Sequence, residues 1–164
     1  MICTHPIPPV FDTGSEILIL GSFPSVRSRE ICFFYGHPQN RFWKVLSAVY
    51  EEDAMQTIGE KKDFLLRNHI ALWDVIHSCE ITGSSDASIR NVIPNDPDVI
   101  LKAADIRTIY TNGKTAYKYY VKYMQPVTKR PAVCLPSTSP ANAAWSCERL
   151  VSEWEQIKHD INGM

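Results

Sequence analysis

The amino-acid sequence predicts a three-layer α/β/α sandwich with a central four-stranded parallel sheet, built as a single domain over residues 1–164. Three observations support this α/β fold class. Short, continuous apolar runs alternate along the chain with longer segments in which apolar residues recur at helical spacing. The runs have no polar side, which is typical of strands that are covered on both faces. A composition of 45% apolar and 21% charged residues is that of one globular domain with a substantial core.

Four apolar runs are the predicted strands, and each of them ends at small or polar residues. They cover residues 16–20, 70–76, 106–110 and 131–135. The carboxyl ends of parallel strands form the edge at which ligands bind, so we expect the functional residues there. The second strand carries a carboxylate, Asp74, within its apolar run. A buried carboxylate is unfavourable unless it is paired, so Asp74 either caps loop N–H groups or presents acceptors to a ligand.

The predicted helices lie between these strands. They cover residues 40–50, 60–68, 96–104 and 114–124, and a last helix runs from Pro140 to about Asn162. Ser139 is the predicted N-cap of the last helix, because Pro140 suits the first helical position. The segment 83–91 is rich in Gly, Ser and Asp, which predicts a polar loop.

The charge of the chain is nearly balanced overall but uneven along the sequence. A net charge of −1 argues against a protein that coats nucleic acid, although residues 102–130 hold seven Lys or Arg side chains and one acid. Lys114, Lys118 and Lys122 fall on one face of a predicted helix. Such a stripe is usually a solvated face, and it needs no binding partner to explain it.

The cysteines and the apolar runs exclude several other classes. The five scattered cysteines contain no C-x-x-C pair, which argues against a disulfide framework and against a zinc or iron–sulfur site. No apolar run approaches the roughly 20 residues of a membrane span. We therefore expect a cytoplasmic protein with no bound metal, no cofactor and no membrane partner.

The segment from Gly36 to Trp43 concentrates polar side chains, constrained backbone and large aromatics. Gly36 and Pro38 would hold His37 and Asn40 on a stiff turn. An Asn before a helix is most often an N-cap. Its amide can also orient a water and hydrogen-bond developing charge, which suits a dissociative transition state. Both roles stay open for Asn40, and the sequence lacks the usual Ser, Cys and metal motifs of catalysis.

Two more segments follow predicted strands at the same edge. In residues 21–25, Phe23 could stack on a base and N–H groups near Ser25 could meet a phosphate; a buried Phe in a tight turn fits equally well. In residues 136–141, three consecutive hydroxyls precede the predicted last helix. Such hydroxyls either cap the helix or contact a phosphate at its positive end.

Five segments, taken in order, carry a family resemblance. They are residues 21–25, 35–43, 72–75, 111–116 and 135–142. Together they resemble the uracil-DNA glycosylase superfamily and, within it, the hypoxanthine-DNA (deoxyinosine) glycosylase branch, over nearly the whole chain. The resemblance implies the sandwich fold and hydrolysis, without metal or cofactor, of the N-glycosidic bond of a damaged deoxynucleotide. We expect a monomer that acts on deoxyinosine-containing DNA in the cytoplasm, at the nucleoid of a prokaryote.

The resemblance also assigns roles to individual residues. Gly21, Ser22 and Phe23 would shape the base pocket, with Phe23 as a stacking residue. Asp74 stands where the superfamily reads the edge of the base. The predicted contacts to the DNA backbone are Pro24, Ser25, Lys114, Ser137, Thr138, Ser139 and Ala141.

The chain departs from better-known branches of the superfamily at two positions. Phe23 stands where many relatives place a carboxylate or amide that positions water. Leu135 stands where a His often begins the second signature. Because both usual catalytic positions are apolar, the resemblance shifts the catalytic role to Asn40, with His37 as the second candidate.

The residue that would read the base does not by itself select which base is excised. An Asp74 carboxylate can accept the N1–H of hypoxanthine or the N3–H of uracil, so it does not choose between purine and pyrimidine. We expect base flipping followed by dissociative cleavage, with hypoxanthine as the base. The alternatives are a uracil or xanthine glycosylase of the same fold, a non-catalytic module that binds damaged DNA, and a hydrolase of free nucleotides.

Overall fold

A computed structural model describes residues 2–161, in which strands and helices alternate for most of the chain. The strands are β1 (Ile2–Thr4), β2 (Ile17–Gly21), β3 (Ile70–Asp74), β4 (Ile76–Glu80), β5 (Arg90–Pro94), β6 (Thr108–Asn112) and β7 (Val133–Leu135). The helices are α1 (Val26–Ile31), α2 (Phe42–Val49), α3 (Ile58–Arg67), α4 (Asp98–Leu101), α5 (Lys114–Tyr119), α6 (Gln125–Thr128), α7 (Cys147–Trp154) and α8 (Gln156–Ile161). A π-helical turn (Tyr120–Met124) joins α5 to α6.

Four strands form a parallel sheet in the order β3-β2-β6-β7, which confirms the predicted four-stranded parallel sheet. Strand β2 is central, and its register pairs Gly21 with Asp74 and Leu20 with Thr111. After β2, the chain forms β3 on one side of β2 and later forms β6 on the other side. The loops after β2 and β6 therefore diverge at a topological switch point, which opens a crevice at the carboxyl edge of the sheet.

The parallel sheet is covered on both faces, as a three-layer sandwich requires. Every residue of β2 and β3 is buried, so side chains that point to either face are excluded from solvent. Helix α3 packs against β3, α5 packs against β6 and β7, and α2 packs against α7. The buried apolar side chains form one contiguous cluster around β2. The removal of this apolar surface from water is the main stabilising contribution to the fold.

A second, antiparallel sheet in the order β1-β4-β5 is absent from the sequence prediction. The predicted strand 70–76 is wrong at its end, because β3 stops at Asp74 and the next residues start β4 in the second sheet. Nδ2 of Asn95 stabilises this junction by donating to the Asp74 carbonyl at 2.9 Å. The predicted loop 83–91 ends early because its last two residues begin β5.

The last long helical segment begins at Cys147, so the prediction of a helix start at Ser139 and Pro140 is wrong. The Ser139 hydroxyl accepts from the Ala141 N–H at 3.1 Å and forms a local turn instead of a helix cap. The observed N-cap is Ser146, whose hydroxyl accepts from a backbone N–H of the first turn at 3.2 Å. A hydroxyl can support a turn or a helix start equally well, so the local sequence alone does not decide between them.

Other boundaries shift by a few residues. The third parallel strand covers 108–112 rather than 106–110, and the predicted helix 96–104 is reduced to the four residues of α4. Asn162, the predicted end of the last helix, lies outside the described residues. Within residues 2–161, no helix combines the length and the apolar character that a membrane crossing requires.

Truncation of a side chain in the central strand should destabilise the protein strongly. Ile19 in β2 is fully buried, so we expect Ile19→Ala to lower the free energy of unfolding by about 2–5 kcal/mol through lost burial and a cavity. Ile93 in β5 is 58% exposed, and we expect Ile93→Ala to change it by less than about 0.5 kcal/mol. Urea unfolding measures both values, and equal losses would contradict the assignment of β2 as the core strand.

Candidate active site

A cavity of about 300 Å³ opens at the carboxyl edge of the parallel sheet. Its volume lies at the lower end of the range for ligand pockets, roughly 300–1,000 Å³. Every predicted site residue lines this cavity except Lys114, which is exposed at the start of α5. Cavity residues that the sequence prediction misses include Ser28, Phe34, Tyr35, Ser84, Asp86 and Asn112.

The Asn40 amide uses its oxygen for hydrogen bonds within the protein, while its nitrogen has no partner among the described residues. Its Oδ1 accepts from the Phe42 N–H at 2.9 Å and from the Thr138 hydroxyl at 2.8 Å. Because a backbone N–H can only donate, the atom that faces Phe42 is the carbonyl oxygen. Among residues 2–161, Nδ2 has no hydrogen-bond partner. The same side chain therefore forms a turn at the start of α2 and offers an N–H donor at the cavity.

Thr138 connects Asn40 to the end of β6. Its hydroxyl donates to Asn40 and accepts from Nδ2 of Asn112 at 3.0 Å. Its backbone N–H donates to Oδ1 of Asn112, also at 3.0 Å, so the two residues are bonded in both directions. Thr138 has no exposed surface. Its hydroxyl is thus fully used in a network that orients both amides.

Arg41 holds the segment after β7 against the start of α2. Its guanidinium donates to the carbonyls of Ser139 at 3.0 Å, Asn142 at 3.2 Å and Trp145. Its backbone N–H donates to the Thr138 carbonyl at 3.1 Å. The same carbonyls of Ser139 and Asn142 also accept backbone N–H groups three residues further on, so residues 139–145 form turns that Arg41 holds in place, and the last helical segment starts only after them.

His37 lines the cavity from the loop before α2. Its Nδ1 lies 3.1 Å from the Gln39 nitrogen and must accept, because the backbone N–H can only donate. Neutral His37 therefore carries its proton on Nε2. The His37 carbonyl accepts from the Asn40 N–H at 3.0 Å, which closes the turn that both residues share. His37 can thus offer Nε2–H as a second donor near Asn40.

Asp74, at the end of β3, is paired with His5. Nε2 of His5 lies 2.7 Å from Oδ2 of Asp74, and the two side chains are 2% and 5% exposed. This pairing explains how a carboxylate is accommodated within a buried apolar strand. Within the described residues, Oδ1 of Asp74 has no hydrogen-bond partner; it faces Gly21, which also lines the cavity.

Phe23 is partly buried and forms part of the cavity wall. The His5 ring meets it edge-on, with 6.0 Å between the centroids, and the Arg29 guanidinium lies 5.4 Å from its centroid. Two neighbours therefore hold the Phe23 ring in place. The nearby Ser25 caps α1, because its hydroxyl accepts from the Ser28 N–H at 3.1 Å.

Two further ionisable residues line the cavity, Tyr35 and Asp86. Burial and, to a lesser degree, the Asp74 carboxylate raise the pKa of Tyr35, so its hydroxyl stays protonated. Asp86 is exposed as a whole residue, yet partial desolvation of its carboxyl group raises its pKa, and Asp74 adds to the effect. Among residues 2–161, no three His, Cys, Asp or Glu side chains are grouped as a metal site requires.

Comparisons with known proteins agree with this fold. A family model described as the uracil DNA glycosylase superfamily matches residues 8–158. A protein of Methanosarcina acetivorans named hypoxanthine DNA glycosylase is 37% identical over 154 residues, which cover 92% of this chain and 94% of that protein. A protein of the same name from Methanosarcina barkeri is 36% identical over 118 residues, which cover 68% and 72%. A solution NMR structure of a candidate uracil DNA glycosylase from Methanosarcina acetivorans has a TM-score of 0.82 at 33% identity and covers 99% of both chains.

The chain therefore belongs to the uracil DNA glycosylase superfamily, as the sequence resemblance predicts. It is a DNA glycosylase, a hydrolase that acts on N-glycosyl bonds. The two apolar positions at which it departs from better-known branches differ in their surroundings. Leu135 is fully buried in β7, whereas Phe23 lines the cavity.

The close approach of backbone and carboxylate at Gly21 gives a test of the site. A Cβ at this position would overlap Oδ1 of Asp74 and lie 2.9 Å from the Tyr35 hydroxyl. His5 holds Asp74 in place, so we expect Gly21→Ala to displace the carboxylate, reduce glycosylase activity at least about tenfold and destabilise the fold by about 1–3 kcal/mol. Activity assays and thermal unfolding measure the two effects.

Gly59→Ala is the matched control for this substitution. Gly59 lies in α3, and its Cβ would have its nearest neighbour, Oγ1 of Thr57, at 3.8 Å. We expect full activity and a gain in stability of about 0.4–1 kcal/mol, because Ala restricts the unfolded chain. An active and stable Gly21→Ala variant would show that the close approach of Gly21 to the Asp74 carboxylate is not required for activity.

Proposed function

We propose that this DNA glycosylase removes hypoxanthine from deoxyinosine in DNA, as a step of base excision repair. One observation carries the proposal: Asp74 and Asn40 line the same cavity, and each has one polar side-chain atom bound inside the protein and one without a partner among residues 2–161. The free Oδ1 of Asp74 is an acceptor for a base N–H, and the free Nδ2 of Asn40 is a donor for a water molecule. Excision of a flipped base needs both a group that reads the base and a group that places the water.

In this proposal the target nucleotide leaves the base stack and enters the cavity. Unstacking requires a few kcal/mol and is least unfavourable for a mispaired base such as hypoxanthine. Phe23 would stack on the flipped base, while Gly21 and Ser22 shape the pocket around it. Asp74 would accept the N1–H of the base. These contacts would hold the glycosidic bond near Asn40 and His37.

The chemical step we propose is dissociative. The bond between C1′ and N9 breaks, and its electron pair leaves with the base, which takes up a proton; the sugar becomes an oxocarbenium ion. Nδ2 of Asn40 would donate to a water oxygen and hold it below C1′, and the new C1′–O bond forms as the water releases a proton to solvent. Nε2–H of His37 would donate to the departing base as negative charge develops on it.

The remaining predicted residues would contact the DNA backbone. Arg41 fixes the segment after β7, which is consistent with a rigid phosphate-binding surface. We assign Thr138 a positioning role, because its buried hydroxyl is bonded to Asn40 and Asn112. The proposed DNA-backbone contacts are Pro24, Ser25, Ser137, Ser139, Ala141 and Lys114.

The choice of hypoxanthine rests on the names of the relatives from Methanosarcina, which are similar over most of the chain. Asp74 alone would accept the N–H of uracil equally well, so uracil and xanthine are the alternative bases. We further propose that the enzyme acts as a monomer on DNA in the cytoplasm, at the nucleoid of a prokaryote.

Oligonucleotides that contain one deoxyinosine, deoxyuridine or deoxyxanthosine test the reaction and the base together. We expect the deoxyinosine substrate to yield an abasic site fastest, detected as strand cleavage after alkali. On the preferred substrate, we expect the excision rates of Asn40→Ala and Asn40→Ser to be at least about 100-fold lower than that of the wild type, because each variant lacks Nδ2. Binding without an abasic product from any of the three substrates would contradict the proposal.

The serine variant separates catalysis from the structural role of Asn40. A Ser hydroxyl can accept from the Phe42 N–H and form the equivalent turn, whereas Ala cannot. We therefore expect Asn40→Ala alone to lose about 1 kcal/mol of stability. If Asn40→Ser retains wild-type excision, Asn40 serves only to start α2.

Thr138→Val tests the positioning network. The substitution keeps the side-chain shape but removes the hydroxyl that holds Oδ1 of Asn40 and pairs with Asn112. We expect kcat to fall about 10- to 100-fold with little change in KM, because a misplaced Asn40 amide slows the chemical step and leaves substrate binding intact. Thr138→Ser retains the hydroxyl and should keep most of the activity. Equal kcat values for the two variants would remove Thr138 from the mechanism.

A further inference from the structure

His5 is the buried partner of Asp74 and has no role in the mechanism above. Its backbone N–H donates to the His77 carbonyl at 2.6 Å, which fixes the residue beside β4, directly after the end of β1. Its ring lies among aromatic neighbours, with centroids 6.0 Å from those of Phe23 and Phe34. With a side chain that is 2% exposed, His5 has little freedom to rotate or to reach water.

The surroundings of the His5 ring determine which nitrogen carries the proton. The Ile7 N–H lies 3.2 Å from Nδ1 and can only donate, so Nδ1 is the unprotonated nitrogen. A neutral His5 therefore has its proton on Nε2 and donates it to Oδ2 of Asp74, 2.7 Å away. A proton on Oδ2 would oppose this N–H. The pair is thus a fixed donor, Nε2–H of His5, and a fixed acceptor, Oδ2 of Asp74.

This pairing leaves Asp74 with one defined free atom. Oδ2 is occupied by His5, and the main-chain carbonyl of Asp74 accepts from Asn95. Oδ1 has no partner among the described residues and faces the cavity beside Gly21. An ionised carboxylate can only accept hydrogen bonds. The ionised side chain therefore presents Oδ1 to the cavity as an acceptor.

We propose that His5 sets selection against adenine and cytosine by holding the Asp74 carboxylate with Oδ1 as an acceptor at the cavity, which admits bases with a ring N–H beside a carbonyl and repels bases with a ring nitrogen beside an amino group. Hydrolytic deamination converts the second kind of edge into the first, in purines and pyrimidines alike. The undamaged adenine edge places a lone pair against Oδ1, whereas the hypoxanthine edge places an N–H there. His5 thus acts through Asp74 and is a positioning residue.

The isosteric substitution Asp74→Asn tests this inference in the whole 164-residue chain. His5 would still donate from Nε2, so the new amide must turn its oxygen towards His5 and its NH2 group towards the cavity. A donor would then face the N–H of the base, and we expect excision of hypoxanthine to fall by about 100-fold or more. Asp63→Asn, at an exposed position of α3, is the matched control and should leave excision unchanged.

The double variant His5→Phe/Asp74→Asn separates selection from a merely structural role. Without the His5 N–H, the amide is free to turn its oxygen towards the cavity. We therefore expect excision to recover by about tenfold relative to Asp74→Asn alone. A structural role for His5 predicts a further loss instead, and that result would overturn the inference.

A binding measurement keeps the inference testable if the double variant does not fold. The ratio of affinities for duplexes with hypoxanthine and with adenine at one position should fall at least about tenfold in Asp74→Asn. An unchanged ratio overturns the inference. The inference rests on the proposed function, and the two fail differently: a wild-type protein that releases no deaminated base refutes the function, whereas normal wild-type excision without these effects refutes the roles of His5 and Asp74 in base selection and leaves the excision reaction standing.

Discussion

The buried hydroxyl of Thr138 is the junction on which the geometry of the site depends. It joins the loop before α2, through Asn40, to the end of β6, through Asn112. The backbone carbonyl of Thr138 also accepts from the Arg41 N–H. The segment after β7 is therefore bound both to the loop before α2 and to the end of β6. Three pieces of chain that are far apart in sequence thus meet at one side chain with no exposed surface. A rigid site follows, because none of these groups can move without leaving a buried polar atom unpaired.

The two polar groups proposed to act on the substrate are organised by the same rule. Each has two side-chain polar atoms, and the protein binds one of them: Oδ1 of Asn40 faces a backbone N–H, and Oδ2 of Asp74 faces His5. The bound atom determines the identity of the free one, since a donor requires an acceptor opposite it. Backbone N–H groups at Phe42 and Ile7 ultimately set these orientations.

The sequence predicts the parallel sheet and its functional edge because these depend on local patterns. Continuous apolar runs define β2 and β3, and the carboxylate Asp74 stands out within one of them. His5 lies 69 residues from Asp74, and no local pattern links the two. The pair of Asn112 and Thr138, 26 residues apart, is equally invisible to periodicity.

The errors of the sequence prediction have the same physical origin. Ser139 and Pro140 have the local features of a helix start, but Arg41 holds carbonyls of that segment in a series of turns. The second sheet is missed because β1 and β5 are largely exposed and carry no continuous apolar run, so they become strands only by pairing with β4. Long-range contacts override local preference in both cases.

An amide in the proposed catalytic position also has a consequence for how such an enzyme can be tuned. A carboxylate or an imidazole can be strengthened or weakened by neighbours that change its ionisation, but the side chain of Asn40 neither gains nor loses a proton at physiological pH. The only adjustable quantities are its placement and the directions of its N–H bonds. Adaptation to cold or heat would then proceed through the stiffness of the contacts behind it, at Thr138 and Asn112, rather than through charge.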